Sequence, residues 1–230
     1  MSRHRVSVII PTLNEARRIG ARLDELAAIG GWHEILVVDG GSTDDTCKIA
    51  DRPGVQVLNG PRGRARQMNT AAARATGDVL LFLHADVVLP TDAPRWMDTA
   101  MADPRVAAGA FRTWTIADLD GYWWAPALHL ADVRSRYTSL PYGDQAMFVR
   151  AQAFAQVGGF PDQPLLEDLE LSQRLRRVGR IVTVPARVQV SGRRFLRRPV
   201  YYTFLVNVFP AMYRMGVPAS TLARVYGNPR

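Results

Sequence analysis

The sequence predicts an α/β fold with an open, mostly parallel sheet, helices flanking the sheet, and a helical segment at the C-terminus. The chain has 230 residues, of which 47% are hydrophobic and 22% charged, so it can bury one substantial core. Apolar runs typical of buried parallel strands alternate with segments of helical periodicity. This alternation is the pattern of an α/β sheet.

The predicted strands are short apolar runs bounded by polar or turn-forming residues. Val6–Ile10 is the first, and Glu34–Asp39 is the second. Between them, apolar residues recur at helical spacing until Gly30 and Gly31 end the helix. The later predicted strands are Val55–Leu58, Val79–Leu83, Ala107–Thr113, Gln145–Val149 and Ile181–Val184.

The remaining helices are predicted from caps and apolar stripes. Ser42 and Thr43 are expected to cap a second helix, and Arg64–Ala75 forms a third that ends before Gly77. Glu167–Val178 has a clear apolar stripe opposite its arginines. The sequence leaves Asp118–Tyr137 open between a helix and an ordered loop.

Composition and the lengths of the apolar runs indicate where the protein is expected to act in the cell. The formal charge of +8 would permit an anionic partner, but the positive charge is nearly all arginine and does not by itself predict nucleic-acid binding. Cys47 is the single cysteine, which favours a reducing cytoplasm. Val6–Ile10 is too short for a signal-peptide core, and Tyr201–Tyr213 is too short and interrupted to span a bilayer. We therefore expect a cytoplasmic protein.

Short segments that are rich in polar residues follow three of the predicted strands. Because the carboxyl ends of parallel strands meet at one edge of a sheet, these residues should lie together. They are Pro11, Thr12, Asn14 and Glu15 after the first strand, Asp39 and Gly40 after the second, and His84, Ala85 and Asp86 after the fourth. Carboxylates at one edge could hold a divalent cation on a diphosphate. Alternatively, Asp39 and Asp44 only cap the next helix.

These motifs resemble the family 2 glycosyltransferases of the GT-A fold, across residues 5 to about 195. Val6–Glu15 is similar to the family's opening strand and base-binding loop. Ile35–Thr46 is similar to its second signature, which implies that Asp39 contacts the nucleotide base. His84-Ala85-Asp86 corresponds to the metal-binding D-x-D motif. The resemblance implies that Asp86 is the metal ligand, whereas His84 could ligate the metal, bind the ribose or stay outside the metal shell.

Two further segments resemble motifs of this family. Gly63–Asn69 is similar to the segment before the D-x-D motif, which implies that Arg66 and Asn69 face the nucleotide, although a solvated arginine face is the alternative. Glu167 and Asp168 match the E-D motif after a G-G-F turn, which implies that Asp168 is the general base. First-turn carboxylates that only stabilise the helix dipole are the alternative.

The last site predictions concern the sugar and the leaving group. Asp144 and Gln145 are candidates for contact with the sugar or acceptor, or they are turn residues without a function. Arg193 and Arg194 stand where relatives often have a histidine ligand, and we expect one of them to offset diphosphate charge.

The resemblance implies an inverting enzyme that moves a sugar from a nucleotide-diphosphate donor to the hydroxyl of a small-molecule or lipid-linked acceptor. UDP-sugars are the favoured donors, and Mn²⁺ or Mg²⁺ is expected to assist the reaction. Residues 1–195 are expected to form the GT-A domain and residues 196–230 a helical segment. This segment either docks on the domain or contacts the inner membrane face peripherally. No nucleic-acid partner is expected.

Two other functional classes remain open from the sequence. A sugar-phosphate nucleotidyltransferase uses a related sheet but needs a glycine-rich loop after the first strand, where this chain has Thr12–Glu15. A non-catalytic nucleotide-sugar binder would need Asp86 and Asp168 only for binding. A dinucleotide oxidoreductase is disfavoured, because Gly40 and Gly41 lack the spaced third glycine.

Overall fold

The computed structural model describes residues 4–116, 140–191 and 199–227. Its centre is an eight-stranded sheet in the order β3-β2-β1-β4-β7-β6-β8-β5. The strands are β1 Val6–Thr12, β2 Glu34–Asp39, β3 Val55–Asn59, β4 Val79–Phe82, β5 Val87–Val88, β6 Val106–Ile116, β7 Phe148–Arg150 and β8 Arg180–Ser191. The predicted α/β class is confirmed.

The sheet is mostly parallel, with antiparallel pairings at β7 and β5. Strands β3, β2, β1 and β4 form one parallel block, and β6 pairs with β8 in parallel. β7 joins the two blocks, because it runs antiparallel to both β4 and β6. β5 pairs antiparallel with the end of β8, which brings Val87 opposite Val190.

Helices cover both faces of the sheet. They are α1 Ala16–Ile29, α2 Thr46–Ala50, α3 Arg64–Ala72, α4 Ala93–Met101, α5 Ala151–Gln156, α6 Glu167–Val178, α7 Pro199–Arg214 and α8 Ala219–Tyr226. Side chains alternate between the two faces of a strand, so β1 contributes Val8 and Ile10 to the core under α1 and Ile9 to the core under α3.

Several boundaries differ from the prediction. Gln145–Val149 is not one strand: Gly143–Gln145 is a 3-10 turn and β7 begins at Phe148. β8 extends to Ser191, well beyond the predicted Val184. The second helix begins at Thr46, and the Ser42 hydroxyl donates to the Asp39 carboxylate instead of capping that helix. The segment 118–137 lies outside the described residues.

The C-terminal helices α7 and α8 pack against the domain. Leu205, Phe209 and Leu222 share a buried cluster with Leu166 and Leu169 at the start of α6. The Tyr213 hydroxyl also lies 3.3 Å from Glu170 Oε2 on α6. Among the described helices, none is both long and apolar enough to cross a bilayer.

Candidate active site

A cavity of about 250 Å³ opens at the carboxyl ends of β1 and β4. It contains many of the side chains that the sequence singled out. Of the predicted residues, those that line it are Pro11, Thr12, Glu15, His84, Asp86, Asp144 and Asp168. The expectation that polar strand ends converge is therefore met for the loops after β1 and β4.

The loops after β1 and β2 are joined by side-chain hydrogen bonds. The Asn14 backbone N–H donates to Ser42 Oγ at 2.8 Å, and Asn14 Oδ1 accepts from the Thr43 backbone N–H at 2.8 Å. The Glu15 backbone N–H donates to Thr46 Oγ1 at 2.8 Å. Asn14 adopts a φ of 55°, a conformation that asparagine tolerates better than most residues. Asn14 thus fixes the loop that carries Glu15 to the cavity.

Asp39 is buried at the end of β2 and does not line the cavity. Its carboxylate accepts backbone N–H groups of Gly41 at 2.8 Å and Ser42 at 2.7 Å, and the Ser42 hydroxyl. Burial alone would raise the pKa of Asp39, but the hydrogen bonds from Ser42 and Gly41 outweigh it and the pKa is lowered. Asp39 is therefore an ionised, rigidly held acceptor beneath the Gly40-Gly41 loop.

Gln67 on α3 is a site residue that the sequence reasoning missed. Its side-chain nitrogen donates to the backbone oxygens of Thr12 at 2.7 Å and Val38 at 2.8 Å, and it lines the cavity. A Cβ on Gly40 would stand 3.0 Å from its amide, so any other residue at position 40 would force the Gln67 side chain to shift. The sequence feature that could have identified Gln67 is its position next to Met68, on the apolar face of α3.

His84 and Asp168 both lie next to Gly143, on the side where a side chain at this position would project. The Gly143 backbone N–H donates to Asp168 Oδ2, and the Leu169 N–H donates to Asp168 Oδ1 at 2.7 Å. A Cβ on Gly143 would lie 2.9 Å from His84 Nε2 and 3.3 Å from Asp168 Oδ2. Two side chains that are far apart in the sequence are thus brought into one site around this glycine.

This arrangement makes Gly143→Ala a test of the site. The new methyl group would displace the ends of the His84 and Asp168 side chains, which can move, whereas the backbone need not change. We expect turnover to fall by about tenfold, since small displacements of catalytic groups are costly, with the melting temperature nearly unchanged. Steady-state kinetics and a thermal melt measure both. Normal turnover in a folded variant would contradict the arrangement.

Glu167 and Asp168 have different environments although they are adjacent. Glu167 is buried and pairs with Arg64, whose Nε lies 3.1 Å from Glu167 Oε1. Burial raises the pKa of Glu167, and Arg64 offsets this only in part. Asp168 instead lines the cavity. Leu166, which has a φ of 62°, makes the turn just before Glu167 and Asp168.

The predicted nucleotide contacts on α3 lie elsewhere. Arg66 points outward and forms a two-bonded pair with Asp162 at 2.8 and 2.6 Å. The Asn69 side chain exchanges two hydrogen bonds with the backbone of Phe160, at 2.8 and 2.9 Å, and so holds the G-G-F turn. Arg64, which was not predicted, is the arginine of this helix that lines the cavity.

Asp144 and Gln145 point to different places. Asp144 lines the cavity, whereas Gln145 is buried and donates to the backbone oxygen of Phe111 at 3.0 Å. Gln145 Oε1 also accepts the Tyr142 backbone N–H at 2.9 Å, so its contacts hold the turn.

Ala85 is buried between His84 and Asp86. Arg193 and Arg194 lie outside the described residues.

The possible metal ligands in the cavity suit a cation whose coordination is completed by substrate. Within the ranges that the structure describes, no group of three histidine, cysteine or acidic side chains could hold a metal by itself. Asp86 supplies a carboxylate and His84 an imidazole to the same cavity. Mg²⁺ and similar ions are often bound by one or two carboxylates together with substrate phosphates and water. These residues therefore fit a metal–diphosphate complex.

One wall of the cavity is apolar and comes from the C-terminal helices. It includes Leu205, Phe209 and Pro210 of α7 and Tyr226 of α8. Leu165 and Leu166 continue this wall from the segment before α6. The cavity thus has a charged side at the strand ends and an apolar side under α7.

The family model for glycosyl transferase family 2 matches residues 7–158. The chain is 27% identical over 204 residues to the beta-monoglucosyldiacylglycerol synthase of Synechocystis sp., which covers 78% of this chain and 43% of that protein. It is 42% identical over 88 residues to a PGL/p-HBAD biosynthesis glycosyltransferase of Mycobacterium bovis, over 35% of this chain and 34% of that protein. The chain therefore spans less than half the length of these relatives.

Solved structures agree in fold. A mannosyltransferase from Pyrobaculum calidifontis in complex with GDP-Man and Mn²⁺ superposes with a TM-score of 0.67 and 25% identity, over 81% of this chain and 56% of that one. Glucosyl-3-phosphoglycerate synthase from Mycobacterium tuberculosis, in complex with Mn²⁺ and UDP, gives a TM-score of 0.59 at 18% identity, over 80% and 71%. The GT-A fold class is confirmed. With a family model that matches about two thirds of its length, the chain belongs to glycosyl transferase family 2.

Proposed function

We propose that the protein is an inverting glycosyltransferase that moves a sugar from a nucleotide-diphosphate donor to an acceptor hydroxyl, with Asp168 as general base. The observation that carries the proposal is the position of Asp168 in the same cavity as Asp86 and His84. An inverting displacement needs a base at the acceptor and a cationic site at the leaving diphosphate, and this cavity has candidates for both.

Asp168 is better placed than Glu167 to receive the acceptor proton. Glu167 is engaged by Arg64 and buried, whereas Asp168 is held by two backbone N–H groups and still faces the cavity. The acceptor oxygen would lose its proton to Asp168 as it bonds to the anomeric carbon. The bond from that carbon to the diphosphate oxygen breaks on the opposite side, and the nucleoside diphosphate leaves with the electron pair.

Asp86, with His84 beside it, would hold a divalent cation on the diphosphate. When bound, such a cation neutralises the negative charge that develops on the leaving group. Arg64 lies within electrostatic reach of Asp168 and Asp86 and lines the cavity, so it adds a fixed positive charge near the same atoms. Mn²⁺ is the first choice, because imidazole is a better ligand for it than for Mg²⁺ and the mannosyltransferase structure contains Mn²⁺.

The nucleotide base would lie toward the loops after β1 and β2. Glu15 and Thr12 reach the cavity there, and the rigid Asp39 carboxylate lies behind the Gly40-Gly41 loop. UDP-sugars are our preferred donors. The acceptor would lie under the apolar wall of α7, which favours an acceptor with an apolar portion next to its hydroxyl.

A donor screen tests the proposal. UDP- and GDP-sugars are incubated with the protein and Mn²⁺, and release of nucleoside diphosphate is followed by mass spectrometry. We expect one donor to be consumed, and an α-linked donor to yield a β-linked product in the NMR coupling constants once an acceptor is found. Retention of the α configuration would contradict the assignment of Asp168 as the base in a single displacement.

A further inference from the structure

Helix α7 has two apolar faces, and only one of them is covered. Leu205 and Phe209 are buried against the domain and form part of the cavity wall. Tyr201, Phe204 and Met215 are 38%, 61% and 76% exposed. Tyr201 and Phe204 lie one turn apart on α7, and Met215 directly follows the last residue of the helix. Large exposed apolar side chains that lie near one another often mark a surface that binds a protein or a membrane.

The exposed side continues onto α8. The Tyr201 hydroxyl donates to the backbone oxygen of Val225 at 2.8 Å, and Val225 is 51% exposed. In the described part of the chain, four of the six large apolar residues that are exposed belong to this surface. We call Tyr201, Phe204, Met215 and Val225 the apolar surface.

The charged residues of the C-terminal part of the sequence have one sign. From Leu171 to the last residue the sequence has twelve arginines and no aspartate, glutamate or lysine, whereas residues 1–170 have 17 basic and 21 acidic residues. Arg214 and Arg224 are exposed and directly precede Met215 and Val225 in the chain. A general preference for arginine does not explain this asymmetry, because acidic residues are abundant in the first 170 positions.

An anionic bilayer matches both features, since it offers negative headgroups to arginine and hydrocarbon to the apolar residues. A second copy of the chain matches less well. Two such surfaces face to face would bring together arginines with no acidic residue in the same segment to pair with them. The apolar surface with its arginines is therefore better suited to lipid.

We propose that the apolar surface and the exposed arginines Arg214 and Arg224 dock the protein on an anionic lipid bilayer. Because α7 carries both this surface and the apolar wall of the cavity, docking would bring the cavity close to acceptors in the membrane. That last consequence rests on the proposed transfer reaction, whereas the docking itself does not.

Co-sedimentation with vesicles tests the docking without any sugar donor. The protein is mixed with vesicles of phosphatidylcholine alone, or of phosphatidylcholine with phosphatidylglycerol, at low and high salt. We expect it to sediment with the phosphatidylglycerol vesicles and to be released by salt. Phe204→Ser with Met215→Ser should lower the partition coefficient at least about tenfold, and Arg214→Glu with Arg224→Glu should abolish sedimentation.

Val178→Ser is the matched control, because it also replaces an exposed apolar side chain, and Val178 is the last residue of α6 and does not belong to the apolar surface. It should bind as the unaltered protein does. Three outcomes would overturn the proposal. The protein could sediment to the same extent with both vesicle types, or the Phe204→Ser/Met215→Ser variant could sediment as the unaltered protein does. The third outcome is a dimer in size-exclusion chromatography that this variant dissociates. Sedimentation by a protein with no transferase activity would support docking and refute only the proposed function.

Discussion

Asp168→Asn is expected to lower the rate of sugar transfer by about a thousandfold, because asparagine cannot accept the proton of the acceptor hydroxyl. Donor binding should be almost unchanged, since the diphosphate is proposed to lie with Asp86 and Arg64. Steady-state transfer assays and calorimetry with UDP and GDP separate the two effects.

The amide of this variant would also accept one fewer backbone hydrogen bond than the Asp168 carboxylate, which holds both Gly143 and Leu169. A thermal melt therefore accompanies the kinetics. Asp103→Asn is the control, since Asp103 pairs with Arg105 and Arg180 at the opposite edge of the sheet. Near-normal transfer by a folded Asp168→Asn variant would refute the assignment of the base.

Asp86→Ala is expected to remove the metal dependence of nucleotide binding and to lower turnover by about a hundredfold or more, because the leaving group loses several kcal/mol of charge stabilisation. UDP and GDP are titrated by calorimetry with MnCl₂ and with EDTA. The unaltered protein should bind more tightly with Mn²⁺, and the variant should bind equally in both buffers.

Asp51→Ala provides the matched carboxylate control, because Asp51 is exposed after α2 and does not line the cavity. It should keep the metal dependence. If the unaltered protein binds either nucleotide as well in EDTA as with Mn²⁺, and Asp86→Ala changes nothing, Asp86 does not hold a catalytic cation.

The sequence predicted the parallel block of the sheet well. The strands β1, β2 and β4 are largely apolar and buried along most of their length, and such runs differ clearly from amphipathic helices. β8 was predicted too short, because Pro185, Arg187 and Gln189 interrupt its apolar pattern. The antiparallel insertion of β7 depends on contacts far apart in sequence, which no local pattern reports.

The site was predicted in outline and missed in detail for a similar reason. Motifs identified the strand ends and the Glu167-Asp168 pair, but they could not decide which arginine at the start of α3 turns inward. The rotation of that helix is set by Gln67, which binds the ends of β1 and β2, and by Asn69, which holds Phe160. These contacts place Arg64 in the cavity and turn Arg66 toward Asp162.

The wall that α7 and α8 give to the cavity also has a consequence for biosynthesis. The strand ends of β1 and β4 are synthesised long before Leu205, Phe209 and Tyr226, so a ribosome-bound chain can complete its sheet while the pocket still lacks one side. Domains generally fold as units during synthesis. We therefore expect a nascent chain in which β8 has left the ribosome but α7 has not to have a folded sheet and a cavity that is still open on the side of α7.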